Sequence, residues 1–365
     1  MSAAPVARPG ILGIAPYVGG EAHAAGVERV IRLASNEGAL GPSPEAVAAY
    51  ARLAPEIHRY PDGESLGLRR ALAALHGIEA ERIVCGNGSD ELITLLVRAY
   101  AGPGDEVLYS RHGFLMYPIA AQSAGATPVI AAERDLRTDI DALLGQVTSR
   151  TRIVFIANPN NPTGTYVTAE EMKRLHAGLP PETVLAIDAA YAEFVDRADY
   201  DAGIKLVRDA RNVIMLRTFS KIHALAGLRL GWAYCSAEIA SVLNRVRGPF
   251  NVNAAAQAAG LAALKDVAWF EQSRAHNAEW LPWLQEALTG LGLKVTPSVG
   301  NFVLTRLPDE PARNADAAFA WLKSRGILTR KMGSYGLPEY LRITIGREED
   351  MRAVAASLRE FLSQP

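Results

Sequence analysis

The chain has 365 residues, of which 49% are hydrophobic and 21% charged, and its formal net charge is −1. That length exceeds one small core and predicts two or three domains. The balanced charge argues against a nucleic-acid-binding surface and against a solvating or disordered role. Two distant cysteines, Cys85 and Cys235, fit a reducing compartment better than a disulfide framework, and each reads as a small buried hydrophobe. Met1–Gly10 lacks a charged stretch followed by an apolar core, so no signal peptide is predicted. No apolar run approaches the roughly 20 residues that span a bilayer. The expected location is therefore the cytoplasm, with no membrane and no metal.

Residues 1–44 are rich in Gly, Pro and Ala and read as an extended arm, part of which joins a smaller domain. Helices follow over Ala46–Leu53 and Ser65–Leu75, the second with Leu66, Leu68, Leu72 and Leu75 at helical spacing. Arg82–Cys85 reads as a strand and Asp90–Tyr100 as a helix with Ser89 as its N-cap. Strands are then expected over Glu106–Tyr109, Thr127–Ala131, Arg152–Ala157, Thr183–Asp188, Val213–Arg217 and Leu230–Cys235. Helices are expected over Phe114–Ala124, Asp139–Gln146 and Ala169–Leu179. This alternation predicts an α/β class with a mostly parallel sheet flanked by helices over residues 45–252.

From residue 253 the pattern changes. An Ala-rich helix (Asn253–Leu264) precedes a long amphipathic one (Ala268–Leu291), in which Pro282 predicts a kink. Strands over Lys294–Thr296, Asn301–Thr305 and Tyr340–Thr344, with helices over Ala315–Ser324 and Glu348–Phe361, predict a smaller α+β domain over 253–365.

Four segments carry chemistry. In Gly86-Asn87-Gly88-Ser89-Asp90-Glu91, glycines between a strand and a helix let backbone N–H groups approach an anion, although a plain tight turn would look the same. Asn158-Pro159-Asn160-Asn161-Pro162-Thr163-Gly164 follows a buried-type strand, and its asparagines exceed what a structural turn needs. At the end of such a strand they would face the crevice where α/β ligands bind. Asp188 ends another buried strand, with Tyr191 three residues on. A carboxylate there needs a partner, and a protonated pyridine nitrogen would serve; a helix N-cap beside a core tyrosine is the alternative.

Lys221 lies in Leu216-Arg217-Thr218-Phe219-Ser220-Lys221, with Arg229 eight residues on. A lysine amine condenses with an aldehyde, and hydroxyls with an arginine bind a phosphate. Aldehyde plus phosphate describes pyridoxal 5′-phosphate.

Together these segments resemble the fold-type I pyridoxal-phosphate enzymes, and among them the class I/II aminotransferases of the histidinol-phosphate type. The similarity runs from Ile14-Ala15-Pro16-Tyr17-Val18 to Leu341-Arg342-Ile343-Thr344-Ile345-Gly346. It implies that Lys221 bonds the cofactor aldehyde, that Asp188 pairs with the ring nitrogen, and that Asn161 and Tyr191 hold the ring oxygen. It assigns the phosphate to Thr218, Ser220 and Arg229 with the backbone of Gly88, Ser89 and Asp90, and ring stacking to Phe114, where other members carry tyrosine or tryptophan. Tyr60 would reach the phosphate of a partner subunit, which implies a homodimer with shared sites. Arg342 would grip an α-carboxylate and Arg330 a substrate phosphate, with Tyr17, Asn36 and Asn301 lining the pocket. Ala189 and Gly38-Ala39 depart from the common pattern of Glu and Asn-Pro.

The implied reaction exchanges the amino group of histidinol phosphate with 2-oxoglutarate, giving imidazole acetol phosphate and glutamate in histidine biosynthesis. An aromatic amino-acid aminotransferase and a threonine-phosphate decarboxylase share the framework and are the enzymatic alternatives. A transcription regulator with a pyridoxal-phosphate sensor domain would need an N-terminal DNA-binding module, for which the short arm leaves no room.

Overall fold

The apolar segments assemble into a single seven-stranded sheet in the computed structural model, which describes residues 4–23, 26–27 and 29–364. Residues 1–3, 24, 25 and 28 of the expected arm lie outside the described residues. The strands are β1 (Ile83–Gly86), β2 (Glu106–Ser110), β3 (Thr127–Ala131), β4 (Thr151–Ala157), β5 (Val184–Asp188), β6 (Val213–Thr218) and β7 (Gly231–Cys235). Their order is β1-β7-β6-β5-β4-β2-β3. Only β7 runs antiparallel to its neighbours.

Both faces of this sheet are covered, which is why its strands read as continuous apolar runs rather than alternating ones. Successive residues of one strand enter different cores. Val154, Ile156, Leu185, Ile187 and Met215 pack with Leu72, Leu175 and Ala256 on one face. Ile153, Phe155, Ala186, Ile214 and Leu216 pack with Leu92, Leu96 and Tyr117 on the other. The C-terminal ends of β4, β5 and β6 therefore emerge side by side, carrying Asn158, Asp188 and Thr218.

The smaller unit is a four-stranded antiparallel sheet of β8 (Lys294–Thr296), β9 (Phe302–Arg306), β10 (Arg330–Met332) and β11 (Leu337–Thr344), ordered β8-β9-β11-β10. Leu284, Leu288, Leu322, Val354 and Leu358 from its helices pack on Val303, Leu341 and Ile343. Ile31–Arg32 pairs in parallel with Ile327–Leu328, and Leu33 joins the same core, so the segment after the arm belongs to this unit.

Several expectations need correcting. The Ala-rich helix, observed over Ala254–Lys265, packs Ala256, Ala259 and Ala263 into the large core, so that core extends beyond residue 252. Its small residues permit close approach: a Cβ on Gly260 would lie 2.4 Å from Leu230. The long helix spans Val267–Gly290, one residue earlier at each end than expected, with Pro282 inside it. Helices over Ile204–Asp209 and Ala237–Val246 were not foreseen. Ser89 is not an N-cap; Gly88 holds that position with φ 82°, and no side chain caps the helix Ser89–Tyr100. The helix expected from Phe114 begins at Met116, which leaves Phe114 in the preceding loop.

Among the described residues, no helix is long and apolar enough to cross a membrane. None of their His, Cys, Asp and Glu side chains forms a cluster of three or more suited to a metal.

Candidate active site

A cavity of about 280 Å³ opens where the C-terminal ends of β4, β5 and β6 meet the smaller unit. Crevices at these strand ends are where open α/β sheets bind ligands. Asp188, Tyr191, Lys221, Arg229, Arg330 and Arg342 all border it.

Asp188 is 5% exposed at the end of β5. Its Oδ2 accepts a hydrogen bond from Tyr117 at 2.9 Å, while its Oδ1 is buried without a partner. A buried, unpaired carboxylate oxygen is costly unless a cation or donor meets it. Burial raises the Asp188 pKa to about 6, and the Tyr117 hydrogen bond opposes that rise.

Lys221 follows β6 and donates from Nζ to the Ser35 carbonyl at 3.1 Å. Nζ lies 5.7 Å from the centre of the Tyr191 ring. Burial lowers its pKa to about 8, and the Arg342 guanidinium pushes the same way. An amine so shifted is partly neutral near physiological pH, as a nucleophile or proton carrier must be.

Two donors sit between these groups. Tyr191 accepts from Asn36 Nδ2 at 2.9 Å, so its own hydroxyl hydrogen remains free. Asn161 Oδ1 accepts from Arg342, which leaves the amide Nδ2 to donate. Both side chains are thus set to meet an anionic or phenolic oxygen.

An anion cradle lies at one end. The helix Ser89–Tyr100 starts without a side-chain cap, so its first N–H groups are available. Arg229, held at φ 55° after a short 3₁₀ turn, donates to Asp90 at 2.9 Å and to Ser220 Oγ at 3.5 Å. The Ser220 backbone N–H donates to Thr218 Oγ1 at 3.1 Å. Gly88 sits against Arg229, where a Cβ would lie 2.6 Å from the guanidinium. Gly231, for which the sequence carried no signal, is as constrained: a Cβ there would lie 2.4 Å from the Ser89 nitrogen.

The remaining walls come from the loops. Phe114 packs edge-on against Tyr17 and Tyr117. Its loop is anchored by His112, whose Nδ1 meets Glu133 at 2.6 Å and whose carbonyl accepts from Asn160 at 3.2 Å. Arg330 donates to the Val18 carbonyl at 2.7 Å and lies 5.7 Å from the Tyr17 ring centre. Arg342 donates to the Ala34 carbonyl at 2.8 Å, and its Nε is buried without a partner.

Two expected residues lie elsewhere. Asn301 does not line the cavity; it donates to the Asn36 and Glu37 carbonyls at 3.2 and 3.3 Å and braces that loop from behind. Tyr60 is 83% exposed and stacks on Phe250 at 4.7 Å, away from this chain's own cavity. Tyr117 is a site residue that sequence reasoning missed. Its only signal was its place three residues after Phe114.

The donor set fits pyridoxal phosphate on structural grounds: an orphaned carboxylate oxygen for a ring N–H, two donors for a ring oxygen, a partly neutral lysine and a phosphate cradle. The family model for class I and II aminotransferases matches residues 28–358. The chain belongs to the class I and II aminotransferase family. This aminotransferase is 59% identical to the histidinol-phosphate aminotransferase of Paramagnetospirillum magneticum over 98% of its length and 99% of that protein. It is 58% identical to that of Rhodospirillum centenum, with the same coverage. The crystal structure of histidinol-phosphate aminotransferase from Sinorhizobium meliloti in complex with pyridoxal-5′-phosphate superposes with a TM-score of 0.90 at 29% identity, covering 98% of each chain.

Proposed function

We propose that this aminotransferase is a pyridoxal-phosphate-dependent histidinol-phosphate aminotransferase, exchanging an amino group between histidinol phosphate and 2-oxoglutarate. The observation that carries this reading is a pair of buried arginines on one cavity. Arg330 and Arg342 are 7% and 4% exposed, and neither has a carboxylate partner among the described residues. A buried guanidinium without a counter-ion is unfavourable, and an anionic substrate offsets that cost. Two such sites suit a pair of substrates of which one carries a phosphate and the other two carboxylates. The relatives of similar length carry the same name.

Pyridoxal phosphate, when bound, supplies an aldehyde that captures the amino group and a ring that draws electrons from the substrate Cα. The chain's residues do the rest. Asp188 Oδ1 would hold the ring nitrogen in its protonated form. Tyr191 and Asn161 would donate to the ring oxygen, with Phe114 beside the ring. Thr218, Ser220, Arg229 and the N–H groups of Ser89 and Asp90 would hold the phosphate. Arg342 would orient the α-carboxylate of glutamate with its planar fork, and Arg330 would take the phosphate of histidinol phosphate or the distal carboxylate of glutamate. Lys221 would be the base that takes the proton from the substrate Cα and the general acid that returns it to the carbon that carried the cofactor's aldehyde.

The same reading makes the protein a homodimer. Tyr50, Ile57, Tyr60 and Phe250 are exposed on this chain, and a second copy that covers them brings Tyr60 to its partner's phosphate cradle. Both cysteines are buried and unpaired, which supports a reducing, cytoplasmic setting.

An amino-donor panel tests the substrate. Histidinol phosphate should exceed phenylalanine, tyrosine and phosphothreonine in kcat/KM. A preference for the aromatic amino acids, or release of carbon dioxide from phosphothreonine, would overturn the assignment.

A further inference from the structure

The Asp188 carboxylate has two chemically different oxygens, and one buried phenol makes the difference. Tyr117 is fully buried on the helix Met116–Ala124. Its ring stacks on Phe155 at 4.5 Å with an interplanar angle of 4°, and meets Phe114 edge-on at 5.9 Å. Its hydroxyl donates to Asp188 Oδ2 at 2.9 Å. Oδ1 has no partner. The phenol is held by β4 beneath it and by the residue that covers the cofactor ring beside it, so its oxygen has little freedom to leave Asp188.

We propose that Tyr117 is a positioning residue for the cofactor: by occupying Oδ2 it fixes the carboxylate plane and dedicates Oδ1 to the ring nitrogen. The inference rests on the pyridoxal-phosphate reading above. A carboxylate that accepts a second hydrogen bond is a weaker base, so the shared proton stays on the ring nitrogen rather than moving to Asp188. A ring that stays cationic draws electrons from the substrate Cα more strongly. Without the phenol, only the Ala190 backbone and the Lys221 charge oppose the effect of burial on Asp188, and the proton shifts toward the carboxylate.

The phenol suits this task because it does not titrate in the working range. Burial and the neighbouring Asp188 charge both raise its pKa well above the ordinary tyrosine value. The other ionisable groups facing Tyr117 are Tyr335 and Tyr191, both also shifted upward by burial. Asp188 additionally faces Asp90 and Lys221. Tyr117 therefore acts as a constant donor while Lys221 and the substrate exchange protons nearby.

The test is Tyr117→Phe in the cofactor-loaded enzyme, with Phe155→Leu as a packing control that keeps the hydroxyl. A hydrogen bond to a charged group is worth roughly a tenfold to hundredfold effect. For Tyr117→Phe we expect kcat to fall at least about tenfold with KM changed less than about threefold. The visible absorbance band of the loaded enzyme should move its pH midpoint upward, because a neutral ring makes the lysine–cofactor nitrogen more basic. Phe155→Leu should lower thermal stability and move that midpoint much less, because the hydroxyl remains. A Tyr117→Phe enzyme with wild-type midpoint and kcat overturns the inference, as does a Phe155→Leu enzyme that shifts the midpoint equally. If the wild-type protein takes up no pyridoxal phosphate, the underlying reading fails instead, and the two failures are distinct.

Discussion

Arg342 on β11 donates to the side-chain oxygen of Asn161 on the loop after β4, joining the smaller sheet to the rim of the larger one. The contact uses only one nitrogen of the guanidinium. A second goes to the Ala34 carbonyl, and Nε has no partner. Burial pulls the Arg342 pKa down, the signature of a cation without an adjacent carboxylate. Arg342→Ala should therefore cost about 2 to 4 kcal/mol in kcat/KM for glutamate, and less for histidinol phosphate, which has no carboxylate. Arg342→Lys keeps the charge but loses the planar fork, and should recover only part of it. Steady-state kinetics on both donors check this; an unaffected glutamate reaction would remove Arg342 from carboxylate binding.

Arg330 should behave differently. It sits on β10 beside the arm residues Tyr17 and Val18. Arg330→Ala is expected to lower kcat/KM for histidinol phosphate about a hundredfold and to reduce that for phenylalanine little. Glutamate should fall in between, because its distal carboxylate is a weaker bidentate partner. Equal losses across the three donors would mean that Arg330 only holds the arm in place.

The reading of the large sheet from sequence succeeded because buried parallel strands are written as short apolar runs, and Thr151–Ala157 and Val184–Asp188 are such runs. The residues that border the cavity were legible where chemistry demands an unusual residue at a strand end, as with Asp188 and Lys221. What escaped was relational. Asn301 and Asn36 are both buried asparagines, and only the fold shows that one stands behind the other. Tyr117 looks like any helix tyrosine until β5 brings Asp188 to its hydroxyl. The Ala-rich helix Ala254–Lys265 follows the last strand of the large sheet, so its sequence position suggested the next domain while its small face packs on Leu68 and Leu72.

Gly231 supplies a prediction that the sequence alone did not. A Cβ at this position would strike the Ser89 nitrogen and the Gly88 carbon, both backbone atoms that cannot swing aside. Gly231→Ala should displace the start of the helix Ser89–Tyr100 and weaken pyridoxal-phosphate affinity at least about tenfold, while the far side of the sheet stays intact. Equilibrium binding to the cofactor-free protein measures this. Unchanged affinity would show that the N–H groups of Ser89 and Asp90 are not part of the phosphate cradle.

Burial and Arg342 lower the Lys221 pKa to about 8, which governs how much of the amine is neutral and able to meet the cofactor. Only the neutral amine attacks an aldehyde. The rate of pyridoxal-phosphate uptake should rise with pH and level off above a midpoint near 8, rather than near the ordinary lysine value of about 10.4. Stopped-flow absorbance on the cofactor-free protein reads it directly. Arg342→Ala should move the midpoint upward, since the guanidinium is the largest charge contribution lowering it after burial itself.

Asp188 ties the cofactor to stability. Its folded pKa is raised to about 6 by burial, above an unfolded value of about 3.9. The folded cofactor-free protein therefore binds more protons than the unfolded chain between those values, and its stability falls as pH rises through that window. The contribution is present below pH about 4 and is lost above pH about 6, at a cost on the order of 3 kcal/mol. Asp188→Asn resembles the protonated acid at every pH and should abolish the effect. Without cofactor, wild type and Asp188→Asn should melt together near pH 4 and separate by roughly 5 °C near pH 7, the variant being the more stable. Adding pyridoxal phosphate should reverse the order at pH 7, because the ring N–H gives the wild-type Oδ1 its missing partner and the amide cannot carry the matching charge. Parallel melting curves at both pH values, with and without cofactor, decide it; a wild-type melting temperature that stays level with the variant's across the range would mean that Asp188 is not buried as a lone carboxylate.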